Sequence, residues 1–306
     1  MTLISTSTSA FYDRSLIGLQ DLRAQAEKLQ ASLSSGQRLS AASDDPVAAA
    51  RLRQLSRTDS LSTIDKANAQ RATADLQLSD GALSSFASYV IRAKELAVQA
   101  ATGTLTPAQR QGIGSEIAAI RQNVIGLANT GDANGHALFG GEAAGHAYGL
   151  DAGGNAVYAG TASAGQVSLG DGQVVSRGLT GPEFLNFNAG GAPTDLMAVL
   201  KTLGDALQNA DPAAQTIANT SLDALNAGLD AITTAQTVVG SRLAWIDLTT
   251  ERRTAMDEMR SSEEADTGGT DIATAVTKLQ ETMTVLQASQ ASFAKLAGLS
   301  LFEVLR

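Results

Sequence analysis

The chain has 306 residues, a formal net charge of −9 and no cysteine. An acidic chain without a basic tract repels phosphate backbones, so no nucleic-acid binding is expected, and the absence of cysteine excludes disulfides and thiolate metal sites. The sequence has no apolar run of about 18 residues, so no membrane insertion is expected, and its N-terminus lacks the pattern of a cleaved secretory signal.

The first segment, residues 1–42, is predicted to form an N-terminal coiled-coil helix that pairs with residues 270–306. Its apolar and small residues are separated alternately by three and four positions, which is the heptad spacing of a coiled coil. A helix with one narrow stripe cannot bury that stripe alone and needs a partner, although an ordinary core helix shows the same periodicity. The predicted seam consists of Tyr12, Ser15, Leu19, Leu22, Ala26, Leu29 and Leu33.

Residues 43–134 are predicted to form the first half of a helical rod domain. Asp45 followed by Pro46 is typical of a helix start, and residues 106–109 have the pattern of a capping box with proline at the first helical position. Gly81 weakens the long helix in this segment by about 1 kcal/mol relative to alanine.

A glycine-rich stretch, residues 135–193, is predicted to form a β-rich outer domain. Asp171-Gly172 is a tight-turn signal between two short β-like runs. Helix returns in residues 194–269, which complete the rod domain. The predicted fold is therefore mainly α: a long antiparallel helical rod formed by both chain halves, with coiled-coil terminal helices and a small β-rich insert domain at its tip.

The last segment, residues 270–306, repeats the heptad spacing and is predicted to form the C-terminal coiled-coil helix. Its predicted seam consists of Ile272, Val276, Leu279, Met283, Leu286, Gln290, Phe293 and Ala297. We predict that the two terminal helices form an assembly interface with each other and with copies of the chain. The interface residues are Leu19, Leu22, Leu29, Leu33, Ile272, Val276, Leu279, Met283, Leu286 and Phe293.

The sequence contains no pattern that would support catalysis, so an enzyme is not expected. Its two histidines, His136 and His146, lie in the glycine-rich stretch without the spacing of a metal site, and no nucleotide-binding loop or nucleophile motif occurs. No catalytic, cofactor-binding or metal-binding residue is predicted, and no cofactor.

Three segments resemble the flagellin superfamily. The N-terminal motif consists of Leu33, Ser34, Ser35, Gly36, Arg38, Asp44, Asp45 and Pro46. Residues 290–302 and residues 127–141 are similar to the hook-associated protein 3 branch, the hook–filament junction proteins. The ending Val304-Leu305-Arg306 departs from that branch toward a flagellin-like ending.

The resemblance implies a structural protein of the extracellular bacterial flagellum, exported unfolded through the flagellar type III export apparatus without a cleaved signal. It implies terminal segments that are disordered in the free subunit and form a coiled coil on assembly. The implied partners are hook-associated protein 1, flagellin, further copies in a ring, and an export chaperone on the C-terminal helix. Two alternatives are a minor filament flagellin and a cell-surface homologue that acts as an adhesin or glycan binder through the insert.

Overall fold

The computed structural model describes residues 3–132 and 135–304, and side chains within residues 10–132 and 135–295. In this described part the chain forms seven helices and six short strands. The helices are α1 (Leu3–Ser35), α2 (Pro46–Ala101), α3 (Pro107–Ala128), α4 (Pro182–Leu185), α5 (Leu196–Gln208), α6 (Ala214–Gly268) and α7 (Ile272–Val304). The strands are β1 (Tyr148–Leu150), β2 (Ala156–Tyr158), β3 (Gln166–Gly170), β4 (Gln173–Ser176), β5 (Asn186–Ala189) and β6 (Ala192–Asp195).

The helices begin where their capping residues predict. Helix α2 begins at Pro46, and the carboxylate of Asp45 accepts a hydrogen bond from the amide of Ala48 at 3.0 Å. The capping box at the start of α3 is complete, because Thr106 and Gln109 each bind the other's backbone. Helix α2 continues through Gly81, so the roughly 1 kcal/mol cost of that glycine does not interrupt it.

The β-structure consists of three separate antiparallel hairpins, β1–β2, β3–β4 and β5–β6. The turn between β3 and β4 was predicted at Asp171-Gly172, and both residues have the positive φ angles, 51° and 75°, of a tight hairpin turn. The run Ala156-Val157-Tyr158 was predicted to be β-like and forms β2, but its partner β1 and the β5–β6 hairpin were not predicted, since these strands of three or four residues are too short to show an alternating pattern. The predicted fold class, mainly α with a small β insert, is confirmed.

The chain separates into two compact units, one of residues 1–60 with 255–306 and one of residues 61–254. The second unit has the larger core, in which the glycine-rich insert packs against the helices. Phe86 of α2, Phe139 of the insert and Phe184 of α4 are fully buried, and their ring centroids lie 5.0 to 5.9 Å apart in edge-to-face contacts. The domain boundaries predicted from the sequence stay a prediction.

Two further features of the described residues bear on function. No helix there combines the length and apolar character that crossing a membrane requires. The described residues also contain no group of three or more histidine, cysteine, aspartate or glutamate side chains that could hold a metal ion.

Candidate assembly interface

Helices α1 and α7 pack against each other in the first unit. The predicted α1 seam faces this contact, since every residue from Tyr12 to Leu33 in that seam is buried or half-buried. Ala26 is the most deeply buried of them, and the ring of Tyr12 meets that of Phe293 edge to face at 5.5 Å. The heptad spacing of α1 therefore describes the face that its partner helix covers.

The seam of α7 differs from the prediction at alternate positions. Leu279, Leu286 and Phe293 lie in the seam as predicted. At the positions between them, however, the residue that faces α1 is a small one, and the larger residue that follows it in the sequence is exposed. Those small seam residues are Ala275, Thr282 and Ser289. The distance between two packed helices depends on the side chains at their contact, so small residues allow a closer approach. The pattern placed Ile272, Val276, Met283 and Gln290 together with the seam residues, although all four are exposed in the single chain. Ala297 lies outside the residues whose side chains the structure describes. The part of these residues in an assembly interface stays a prediction.

The larger side chains are left on an exposed face beside the seam. Ile272 is 65% exposed and Met283 is 42% exposed, and Val276 is exposed as well. Helix α1 adds further exposed apolar residues, Phe11 and Ile17 among them. The helix pair therefore exposes a set of large apolar side chains, which is typical of a surface that binds another protein.

A groove of about 480 Å³ runs along the contact of the two helices. Its lining combines large apolar side chains, such as Phe11, Leu22 and Val285, with small residues such as Gly18 and Ser289. A groove lined in this way accommodates a side chain or a helix face of another molecule.

The two segments that lead into the terminal helices are hydrogen-bonded to each other. We call residues 36–45, which link α1 to α2, the N-terminal connector, and residues 267–271, at the junction of α6 and α7, the C-terminal connector. The amide of Arg38 donates to the carbonyl of Gly268 at 2.8 Å, and the amide of Thr270 donates to the carbonyl of Gly36 at 2.9 Å. We call the paired connectors the joint.

Three positions in the joint require glycine. Gly36 ends α1 with a φ angle of +70°, a conformation that residues with a side chain rarely adopt. A side chain at Gly269 would collide with the carbonyl oxygen of Ala265, and one at Gly268 would press on Leu52 at 2.9 Å.

Three carboxylates hold the ends of the joint and have lowered pKa values. The ammonium of Lys28 donates to Asp44 at 2.7 Å, and together with backbone amides of the connector it holds the pKa of Asp44 well below its usual range. The amide of Ala48 lowers the pKa of Asp45 as it caps α2, and the hydroxyl of Thr274 lowers that of Asp271 at the start of α7. These three carboxyl groups therefore stay ionised at a lower pH than a carboxyl group free in water does.

A family model described as the bacterial flagellin N-terminal helical region matches residues 4–144. This part of the chain is thus similar to the N-terminal helical region of bacterial flagellins. Over 135 residues the chain is 30% identical to flagellar hook-associated protein 3 of Salmonella typhimurium, and equally to that of Escherichia coli. The aligned stretch is 44% of this chain and 43% of each relative, so the match spans less than half the length of these relatives. The predicted resemblance to hook-associated protein 3 of the flagellin superfamily is confirmed.

Solved structures of flagellar proteins share the fold. A flagellar hook-associated protein of Vibrio parahaemolyticus has a TM-score of 0.67 at 23% identity, covering 74% of this chain and 100% of that one. Xanthomonas campestris FlgL has a TM-score of 0.61 at 18% identity, and the match covers 69% of this chain and 99% of the FlgL chain. The flagellar junction protein FlgL from Legionella pneumophila has a TM-score of 0.58 at 16% identity, covering 71% and 99%.

The residues of the flagellin-family motif lie around the joint. Leu33 is half-buried at the end of the α1 seam, and Ser34 and Ser35 complete the last turn of that helix. Asp44, Asp45 and Pro46 form the start of α2. The sequence motif thus corresponds to one structural feature, the turn from α1 into α2.

Sequence reasoning missed the partner of this turn. Thr267, Gly268 and Thr270 of the C-terminal connector receive or donate the hydrogen bonds of the joint, and none of them was predicted to contact the N-terminal connector. The available signal was the pair Gly268-Gly269, which marks the end of α6 and leaves no room for a side chain at either position.

Proposed function

We propose that this chain is a structural subunit of the bacterial flagellum that forms the junction ring between hook and filament. In this proposal it binds hook-associated protein 1 on the hook side, flagellin on the filament side and copies of itself within the ring. It is not an enzyme and needs no cofactor, and it reaches the cell exterior through the flagellar type III export apparatus.

The observation that carries the proposal is the apolar face of the α1–α7 pair. Ile272 and Met283 are exposed in the single chain, although both belong to an apolar stripe of α7. Full burial of an exposed side chain of this size is worth about 1.5 to 3 kcal/mol, and the part still exposed here contributes its share when neighbouring subunits cover it. The relatives named as hook-associated proteins supply the kind of assembly in which this takes place.

The C-terminal helix has a second use in this proposal, because an exposed amphipathic helix is a target for a helix-binding partner before assembly. An export chaperone that covers the exposed face of α7 would keep the apolar side chains of Val276 and Met283 out of water until the chain is exported.

Deletion of the gene tests the proposal. We expect cells with bare hooks, seen by electron microscopy, and flagellin lost to the medium, with both defects reversed by the wild-type gene. Filaments that persist with unchanged motility would exclude a junction subunit. They would favour the alternatives of a minor filament flagellin or a surface adhesin on the same fold.

A further inference from the structure

The joint brings together four helix ends, and Arg38 contacts two of them, the end of α6 and the start of α2. Its Nη2 atom donates to the carbonyl of Thr267 at 2.9 Å and to Oδ2 of Asp45 at 3.3 Å. Its backbone amide donates to the carbonyl of Gly268. One residue of the N-terminal connector therefore binds both the last turn of α6 and the residue that caps α2.

The last carbonyl groups of a helix have no partner within the helix, and a cation beside them interacts favourably with the helix dipole. At the end of α6, the carbonyl of Ala265 accepts from the amide of Gly269, while the carbonyls of Thr267 and Gly268 accept from Arg38. Arg38 thus caps the C-terminus of α6 from a segment 229 positions away in the sequence.

We infer that Arg38 is a positioning residue that fastens the N-terminal connector to the C-terminal connector, so that α1 and α7 are held as a pair. The inference rests on the proposed function, because the paired helices carry the proposed interface. Without the side chain of Arg38 the connectors are held by the backbone bonds from Arg38 to Gly268 and from Thr270 to Gly36, so they separate more readily.

Arg38 is poorly placed to contribute much to overall stability. Its side chain is 47% exposed, and exposed ion pairs contribute little because water screens them. The bond of its side chain to the carbonyl of Thr267 is directional, however, and it holds the end of α6, from which Thr270 reaches the carbonyl of Gly36. The role therefore predicts a local effect on the C-terminal connector rather than a general loss of stability.

Hydrogen–deuterium exchange of the full chain, read at single amides by mass spectrometry, tests this role. The variants are Arg38→Ala, the conservative Arg38→Lys, and Arg53→Ala as a control that removes an exposed arginine of α2 outside the joint. In Arg38→Ala we expect the amide of Thr270 to exchange at least about tenfold faster, while amides of residues 61–254 are unchanged. Arg38→Lys should restore part of the protection, and Arg53→Ala should behave as the wild type.

Unchanged protection of Thr270 in Arg38→Ala would overturn the inference, and so would the absence of protection in the wild-type chain. The exchange rates are measured on the purified protein and do not depend on a flagellar phenotype. If deletion of the gene leaves filaments intact while Arg38→Ala still releases Thr270, the proposed function fails and the role of Arg38 stands.

Discussion

Arg253 of α6 is a buried charge whose partners come from two other elements of the second unit. Its guanidinium lies 3.0 Å from Oδ2 of Asp65 in α2 and 3.7 Å from Oδ2 of Asp171 in the β3–β4 turn. Gly170 of that turn packs directly on the Arg253–Asp65 pair, and any side chain there would collide with both. The ion pair thus fixes where the hairpin lies against the helices.

Replacement of Arg253 by alanine is expected to destabilise the second unit by about 2 kcal/mol, because it leaves the largely buried carboxylate of Asp65 without its partner. Urea denaturation followed by circular dichroism measures the change. The neighbouring Arg252 is exposed, so Arg252→Ala is the matched control and should change stability by less than about 0.5 kcal/mol. Equal effects of the two substitutions would contradict the assigned role.

Helix α7 carries two apolar stripes that serve different contacts. The seam with α1 consists of Ala275, Leu279, Thr282, Leu286, Ser289 and Phe293, and the exposed stripe beside it consists of Ile272, Val276 and Met283. A heptad pattern detects the larger apolar residues first, so it merged the two stripes into one. Separate substitutions in each stripe can therefore distinguish pairing within the chain from contact with a neighbour.

Leu286→Asp should block assembly while residues 61–254 stay folded, because a carboxylate in the seam costs about 3 kcal/mol or more and separates α7 from α1. Met283→Asp should also block assembly but leave the helix pair intact, since that side chain is already exposed. Complementation of the deletion strain measures assembly, and circular dichroism of the purified variants measures helix content.

The matched control is Thr284→Asp, which adds the same charge one position further along on the face of α7 opposite the seam. It should restore filaments as the wild type does. Normal filaments with Met283→Asp would show that the exposed stripe makes no contact needed for assembly.

The titratable groups are distributed unequally over the whole molecule. Carboxylates with lowered pKa values concentrate in the first unit, where Asp44, Asp45, Glu263 and Asp271 are bound by cations, amides or hydroxyls. The main counterexample in this unit is Glu264, whose pKa is raised by burial and by the nearby charge of Asp59. The two units are therefore expected to respond differently to acid.

A carboxylate whose pKa is lower in the folded than in the unfolded state stabilises the fold above the unfolded value of about 4, and that contribution is lost as the pH falls through the folded value. We expect the first unit to lose exchange protection below about pH 4, before the second unit does. Glu264 opposes this trend, because its raised pKa favours the folded state at lower pH. Hydrogen exchange as a function of pH, corrected for the intrinsic rate, measures the difference.

Asp44→Asn should lower the exchange protection of the first unit at neutral pH, since it removes the carboxylate bound by Lys28. It should also make that protection less sensitive to a fall in pH. Asp13→Asn, which removes an exposed carboxylate of α1, is the control. Simultaneous loss of protection in both units on acidification would contradict the prediction.

The sequence by itself determined the helical class, the starts of α2 and α3, the β3–β4 turn and the seam of α1. Each of these depends on residues within a few positions of one another: a capping side chain, a proline, a turn glycine or a heptad spacing. For the same reason the motif around Asp45 was visible in the sequence as one local feature.

Only the tertiary structure decided which stripe of α7 faces α1 and how the two connectors pair. The choice between Thr282 and Met283 depends on how closely two helices approach, which the spacing within one helix does not contain. The bond from Arg38 to Thr267 joins residues 229 positions apart, and no local pattern relates such distant positions. Contacts of this kind form only when the two ends of the chain pack against each other in the folded protein.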